Sequence, residues 1–293
     1  HFIHSSLLPH APKENIIPTE IYRTLLTLEG INEEPEALIK RGHQDFDTLY
    51  VRYRELAREV AQEKGLNTDN PTEVLAILEK QDSIVEPDKI VELYMTIQSE
   101  IEKIIEQQQL ITLPKNKMNM RVGTPAEESI LPVPHVNTPS FLKKDINDWP
   151  EFVLCDLASN GNSYVAYPLV VHEGRPGHDL QFSRLIEDFL NKKANLIETF
   201  ISGNSTNVEG WAHYVEYLMM EHYPSKGEQL AAMRDQLLRI ARLFLDPELN
   251  TQLIDYDDAK EFIQHVVGFS EECAISEADR YCFKMPGQAT AYR

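Results

Sequence analysis

Two histidines and a glutamate lie close together near the middle of the chain. The stretch that contains them reads His172-Glu173-Gly174-Arg175-Pro176-Gly177-His178-Asp179-Leu180-Gln181. Imidazole nitrogens are common zinc ligands, and a glutamate that directly follows the first ligand histidine of a zinc-binding helix can act as a general base. The side chains of His172, Glu173 and His178 therefore predict a metal site with a carboxylate that can take a proton from water.

The spacing of the two histidines requires an interruption between them. Zinc-binding helices usually present their histidines one turn apart, whereas His172 and His178 are further apart and would face different sides of a continuous helix. Pro176 cannot donate a helical hydrogen bond to the carbonyl of His172, and Gly174 and Gly177 loosen the same turn. We therefore expect a widened or broken helix, and a two-residue bulge would return His178 to the face of His172.

A second stretch further along the chain offers a third ligand. It reads Glu209-Gly210-Trp211-Ala212-His213-Tyr214-Val215-Glu216, and we expect a helix to begin at Glu209. Two histidines and one glutamate would leave a fourth position for water, which is the open arrangement of catalytic zinc. The dipole of a helix also favours a glutamate at its N-terminus without any metal, and this alternative stays open.

Helices are the elements that must position these residues. Apolar side chains recur every three or four residues in several segments, which predicts amphipathic helices. The predicted helices begin near residue 18 and then cover 45–63, 72–79, 87–110, 182–190, 209–222, 227–244 and 256–268. Residues 1–19 are rich in proline and small polar residues, which predicts an extended arm.

The stretch from residue 112 to residue 150 differs from the rest of the chain. It contains six prolines, and its short apolar runs indicate strands or irregular extended chain. We therefore predict a mostly α fold: a single multi-helix domain over residues 1–293, with the Pro-rich segment 112–150 as a short irregular or β stretch in its middle.

The composition narrows the classes of function. Lys and Arg number 28 against 47 Asp and Glu, so the net charge is −19, and hydrophobic residues make up 42% of the 293 residues. Binding to nucleic acid or to an anionic membrane surface needs clustered basic side chains, so both are disfavoured. The most apolar run, residues 165–171, is far shorter than the roughly 20 residues of a membrane-spanning helix.

Three motifs in order make the chain similar to a known family. They are the stretches from His172 to Gln181 and from Glu209 to Glu216, and a C-terminal Pro286-Gly287-Gln288-Ala289-Thr290-Ala291-Tyr292 that follows Arg280-Tyr281. Together they resemble the bacterial family catalogued as domain of unknown function 885, and the resemblance covers most of the chain. That family is in turn similar to zinc metallopeptidases that combine a His-Glu-x-x-His helix with a downstream glutamate.

The resemblance implies a metallopeptidase-like fold and a set of roles. The implied residues are His172, His178 and Glu209 as ligands of Zn²⁺, Glu173 as the general base, and Tyr292 or Tyr281 as the donor to the developing oxyanion. Glu216 is a candidate for orienting a ligand histidine through its other ring nitrogen, and Asp179 is a similar candidate.

Two residues depart from the family's pattern. Asp179 stands where relatives usually carry a second histidine, which argues against a third imidazole at the site. Asn250 stands where relatives often carry a histidine, and if that histidine contacts the substrate, the contact differs here.

The resulting hypothesis is a zinc-dependent hydrolase that cleaves amide bonds in peptides, with Glu173 as the general base. Two alternatives stay open: a non-catalytic binding scaffold that retains the fold, and a metal-dependent hydrolase of a non-peptide amide. We expect a peptide or small amide as substrate, and the net charge weakly favours a basic or amine-bearing one.

The chain begins with His1, and members of the family usually carry a further helical stretch upstream. We therefore expect the chain to be the C-terminal part of a longer protein. The resemblance suggests a bacterial periplasm, cell envelope or cytoplasm without a choice among them, and the oligomeric state is not predicted.

Overall fold

The computed structural model describes residues 2–10, 17–81, 86–131, 133–139 and 148–292. In these ranges the chain is mostly helical, with a small three-stranded sheet in its middle region. The predicted fold class, mostly α with a short β stretch, is confirmed. None of the helices in the described ranges combines the length and the apolar composition that crossing a bilayer requires.

The helices and strands have well-defined bounds. The α-helices are α1 Thr19–Leu28, α2 Pro35–Lys64, α3 Pro71–Gln81, α4 Pro87–Gln108, α5 Pro125–Ile130, α6 Leu157–Asn160, α7 Ser163–Glu173, α8 His178–Leu190, α9 Leu196–Ser202, α10 Ser205–Met219, α11 Lys226–Asn250, α12 Tyr256–Glu261 and α13 Glu271–Asp279. The strands are β1 Asn119–Val122, β2 His135–Asn137 and β3 Glu151–Leu154. Short π-helical or 3₁₀ turns cover Ile3–Leu7, Leu8–His10, Met220–His222, Phe262–Val267, Arg280–Lys284 and Gln288–Tyr292.

Several helices begin at a proline. Pro35, Pro71 and Pro87 open α2, α3 and α4, because the first turn of a helix needs no N–H donor and proline already holds the required φ. Helix α2 therefore begins at Pro35 rather than at the predicted residue 45. The predicted extended arm is wrong for residues 3–10, which form helical turns, whereas residues 1 and 11–16 lie outside the described ranges.

The small sheet is built within and just after the Pro-rich segment. Its central strand β3 pairs in parallel with β1 and antiparallel with β2, so that Met120 and Val136 both lie beside Phe152. The side chains of Phe152 and Leu154 are completely buried. The segment therefore contains ordered strands as well as irregular chain, and its residues 132 and 140–147 lie outside the described ranges.

The chain divides into two compact units. The first comprises His1–Asp45 and Arg239–Ala291, and its apolar residues Tyr22, Leu26, Ile31 and Leu38 form one buried cluster. The second comprises Phe46–Leu238 together with Tyr292. This division does not test the prediction of a single domain over residues 1–293, which stays a prediction.

The core of the second unit holds the helices that carry the first two motifs. Its almost completely buried side chains include Ile90, Tyr94, Ile97, Ile101, Ile105, Phe152, Val170, Val171, Val215 and Met219. Helix α7 has apolar side chains on nearly all sides, which is typical of a helix that is buried all round. Because α7 packs against both α4 and α10, its C-terminal end is held beside these two helices.

Candidate metal centre

The helix is broken between the two histidines. Helix α7 ends at Glu173 and α8 begins at His178, so the two histidines lie on different helices, and the anticipated two-residue bulge does not form. The turn of residues 174–177 joins the helices, and its Arg175–Pro176 peptide bond is cis. Only glycine fits at position 177, because an added Cβ would lie 1.8 Å from the carbonyl oxygen of His172.

The break brings the side chains of the first motif together. The ring centroids of His172 and His178 are 4.8 Å apart, and both residues are buried. The Oε1 atom of Glu173 lies 3.9 Å from Nε2 of His172. Ligand atoms of these three residues all lie within 4.8 Å of one another, so together they could hold a metal ion.

Glu209 lies next to both histidines. Its Oε2 atom is 3.7 Å from Nε2 of His172 and 3.7 Å from Nε2 of His178. This oxygen is buried and has no hydrogen-bond partner among the described residues. Helix α10 begins at Ser205 rather than at the predicted Glu209, so Glu209 lies beyond the first turn, to which the effect of the helix dipole is largely confined.

The two separations at Glu209 are compatible with a zinc ion. Tetrahedral zinc with nitrogen and oxygen ligands at its usual bond lengths places neighbouring ligand atoms about 3.4 Å apart, close to the separations observed at Glu209. A buried carboxylate oxygen without a donor is costly, and a cation between the two imidazoles would offset that cost. Of the two carboxylates, Glu209 makes the shorter approach to the rings. One of its oxygens lies 3.7 Å from both Nε2 atoms, whereas Glu173 lies 3.9 Å from Nε2 of His172.

The charge state of Glu209 also suits a ligand. Burial alone would raise the pKa of its carboxyl group, but the imidazoles of His172 and His178 outweigh that effect and hold the pKa well below its usual value. Glu209 is therefore ionised at neutral pH, which is the form that binds a metal.

Glu216 fixes the orientation of His172. Its Oε1 atom lies 2.5 Å from Nδ1 of His172. Since a carboxylate only accepts hydrogen bonds, Nδ1 donates, and in the neutral ring, the form that binds a metal, the lone pair of Nε2 lies on the side of Glu209. The other histidine differs, because Nδ1 of His178 is buried without a hydrogen-bond partner among the described residues.

Asp179 contacts the turn, and its role in orienting a ligand histidine stays a prediction. Its Oδ1 atom accepts a hydrogen bond of 2.6 Å from Nε of Arg175. Burial raises the pKa of the Asp179 carboxyl group, and the Arg175 guanidinium offsets part of that rise. Arg175 also contacts Glu102 and Gln98, two residues of α4 that the sequence motifs do not include. The sequence signal that could have found Gln98 is its position beside the apolar stripe of α4, because an amide buried there needs hydrogen-bond partners.

A family model described as "Bacterial protein of unknown function (DUF885)" matches residues 1–293. The chain belongs to this family. No curated protein matches the chain.

Two solved structures resemble this DUF885 chain. One is a "putative lipoprotein" from Colwellia psychrerythraea, with a TM-score of 0.80, 20% identity, and coverage of 98% of this chain and 49% of the other. The second is a "putative lipoprotein of unknown function" from Shewanella oneidensis, with a TM-score of 0.78, 20% identity, and coverage of 98% and 53%. At this identity the likeness shows the fold alone, and the chain spans about half the length of these two proteins.

The two tyrosines that the DUF885 resemblance implicates have different surroundings. Tyr292 belongs to the second unit, and its carbonyl accepts a hydrogen bond of 3.1 Å from Nδ1 of His213 on α10. Tyr281 belongs to the first unit, where it is completely buried and its hydroxyl donates to Glu277 at 2.7 Å. The role of each tyrosine in binding an oxyanion stays a prediction.

The first unit anchors the third motif through a buried carboxylate. Asp246 accepts hydrogen bonds from the hydroxyl of Tyr22, the side-chain amide of Asn250 and the backbone N–H of Gly287. Gly287 has a φ of 88°, in the left-handed region that favours glycine. The amide of Asn250 also donates to the carbonyl of Tyr281, so in this chain Asn250 is a buried structural residue.

Proposed function

We propose that the chain is a zinc-dependent hydrolase that cleaves amide bonds, with peptides as the substrate class. The observation that carries the proposal is the buried Oε2 atom of Glu209. It has no hydrogen-bond partner among the described residues and lies 3.7 Å from the Nε2 atoms of both His172 and His178. His172, His178 and Glu209 are therefore the residues that would hold the metal, and this donor set is that of several catalytic zinc sites.

Each neighbouring carboxylate has a separate task in the proposed reaction. When bound, zinc supplies a Lewis acid that lowers the pKa of coordinated water to about 7 and polarises a substrate carbonyl. The carboxylate of Glu173 takes the proton from the attacking water and passes it to the leaving amine nitrogen. Glu216 holds the ring of His172 in one orientation through its Nδ1–H. Glu173 and Glu216 are buried, and a buried carboxylate exerts a stronger electrostatic effect than one in bulk water.

Tyr292 is the preferred candidate for a hydrogen bond to the oxyanion. The hydroxyl of Tyr281 already donates to Glu277, which also pairs with Arg242, so that hydroxyl has a structural role. Tyr292 belongs to the same compact unit as the proposed ligands. Its backbone carbonyl accepts a hydrogen bond from His213 on α10, the helix that carries Glu209.

The net charge of −19 favours basic or amine-bearing substrates. We also propose the cell envelope rather than the cytoplasm as the location. The support is that the two similar structures are described as lipoproteins.

The experiment that tests the proposal is metal analysis of protein purified without a His tag, comparing the wild type with His172→Ala. We expect about one zinc per chain in the wild type and its loss in the variant. A screen of a peptide library and of small acyl-amides then separates peptides from other amides. A wild type that takes up no zinc even after zinc is added would reject the proposal in favour of a binding scaffold, and zinc with turnover of acyl-amides alone would reject the peptide substrate.

A further inference from the structure

We infer that Gln98 is a positioning residue for the metal centre, because its side-chain amide fixes the turn that joins the two histidine-bearing helices. This inference rests on the proposed function. Gln98 lies on α4, far from both metal-site motifs in the sequence, and is 3% exposed. It is outside the set of residues that would touch the metal or the substrate.

Gln98 contacts both backbone polar groups of Arg175, a residue of the turn. Oε1 of Gln98 accepts a hydrogen bond of 2.9 Å from the backbone N–H of Arg175, and Nε2 of Gln98 donates to the carbonyl of Arg175 at 3.3 Å. Such a pair fixes the position and the direction of the peptide, much as a neighbouring strand would. Arg175 lies between His172 and His178, so fixing its backbone limits how far the two imidazoles can move apart.

The turn has little freedom to shift away from Gln98. A Cβ added at Gly174 would lie 2.3 Å from Oε1 of Gln98, so the backbone packs directly against the amide. On another side of the turn, Nε1 of Trp211 donates to the carbonyl of Pro176 at 3.0 Å. The side chain of Arg175 adds ion pairs to Asp179 at 2.6 Å and to Glu102 at 3.3 Å.

These contacts connect the metal site to the core. Helix α4 contributes Tyr94, Ile97 and Ile101 to the buried cluster of the second unit, so Gln98 projects from a rigid element. A ligand set that is held in place before the metal arrives loses less conformational entropy on binding, which raises its affinity. We therefore expect Gln98 to set zinc affinity without contacting the ion.

The test is zinc affinity of Gln98→Met, measured by competition with a chromophoric chelator. Methionine keeps the volume of glutamine and removes both hydrogen bonds. The matched control is Gln107→Met, which makes the same change at an exposed position of α4. We expect the affinity of the Gln98 variant to fall about tenfold to hundredfold, the usual effect of losing support behind a ligand, while the control matches the wild type.

If Gln98 contributes only to the stability of the fold, the measurements should give a different result. In that case Gln98→Met would lower the melting temperature and leave the zinc affinity unchanged, which would overturn the inference while a zinc-binding wild type keeps the proposed function. A wild type that binds no zinc would instead overturn both.

Hydrogen exchange of the wild type keeps the inference testable if the Gln98 variant does not fold. We expect slow exchange of the Arg175 amide in the metal-free protein, with little further slowing when zinc is added. Fast exchange that becomes slow only with zinc would show that the metal orders the turn, and would overturn the inference.

Discussion

Oε1 of Glu216 lies 2.5 Å from Nδ1 of His172, and the two residues are only 1% and 4% exposed. The contact joins the end of α7 to the last turn of α10, two helices that share one apolar core. In the neutral imidazole it places the proton on Nδ1 and leaves the lone pair of Nε2 available on the side where Glu209 lies. The carboxylate thus selects the tautomer that a metal ligand needs.

Replacing Glu216 with glutamine tests this relationship. The amide keeps an acceptor oxygen but lacks the negative charge that makes the imidazole a stronger donor to a metal, so we expect zinc affinity to fall about tenfold to hundredfold. Chelator competition measures the change, and Glu221→Gln at an exposed position just after α10 is the matched control. Equal affinities for the two variants would show that the contact serves stability alone.

Replacing Glu173 with glutamine separates catalysis from metal binding. We place Glu173 beside the site as the proton carrier rather than as a ligand, so the variant should keep its zinc content. Hydrolysis of peptides should fall by about 100-fold to 10,000-fold, the usual contribution of general acid–base catalysis. Metal analysis and turnover are measured on the same preparation. Loss of zinc would make Glu173 a ligand, and unchanged turnover would remove it from the mechanism.

Much of the site could be predicted from the sequence because its chemistry lies in two short motifs. The residue types at 172, 173, 178 and 209 predicted one candidate site, and the structure brings these residues together. The glycines and the proline between the histidines predicted the interruption of the helix. Periodicity also predicted the apolar stripe of α4 that supports the site.

The missing parts depend on contacts between residues far apart in the sequence. The contact of Gln98 with the turn joins side-chain and backbone atoms separated by 77 positions, and no local pattern encodes it. The start of α10 was also missed, because Asn204 caps it through the backbone N–H of Asn207, upstream of the motif. A sequence pattern limits which residues can meet, whereas packing decides how the chain turns between them.

The buried carboxyl group of Asp246 predicts a stability that falls as the pH rises. Burial raises its pKa to about 7, although hydrogen bonds from Gly287 and Tyr22 offset part of the rise. An unfolded aspartate loses its proton near pH 4, so between about pH 4 and 7 the folded state holds a proton that the unfolded state lacks. Its contribution to stability is therefore complete below pH 4 and is lost as the pH rises through 7.

The measurement is the free energy of unfolding of the wild type and of Asp246→Asn across this range. We expect the difference, wild type minus variant, to decrease steadily from pH 4 to pH 7. A difference that does not change with pH would mean that Asp246 is ionised in the folded protein throughout.

The buried carboxyl group of Glu277 predicts a stability that falls as the pH decreases. Burial tends to raise its pKa, but the ion pair with Arg242, the charge of Arg280 and the hydroxyl of Tyr281 lower the pKa to about 2. Its contribution is thus present above the unfolded pKa near 4.3 and is lost as the pH falls toward 2. Glu277→Gln should reduce the free energy of unfolding by about 3 kcal/mol at pH 7, because it leaves the buried guanidinium of Arg242 without its charged partner. The deficit should shrink toward pH 2, and a constant deficit would contradict the assignment.

Replacing each of two motif glycines, Gly177 and Gly210, with alanine should change the stability in opposite directions. At Gly177 the new Cβ would lie 1.8 Å from the carbonyl oxygen of His172, so the backbone of a proposed ligand must move. We expect Gly177→Ala to cost about 3 kcal/mol or more of stability and to weaken zinc binding.

At Gly210, inside α10, nothing lies within 4 Å of the added atom, and alanine is the better helix former. Gly210→Ala is therefore the control, with a stability equal to or up to about 1 kcal/mol above that of the wild type. Thermal unfolding and chelator competition measure both, and a Gly177→Ala variant that binds zinc as the wild type does would show that the turn can shift without moving His172.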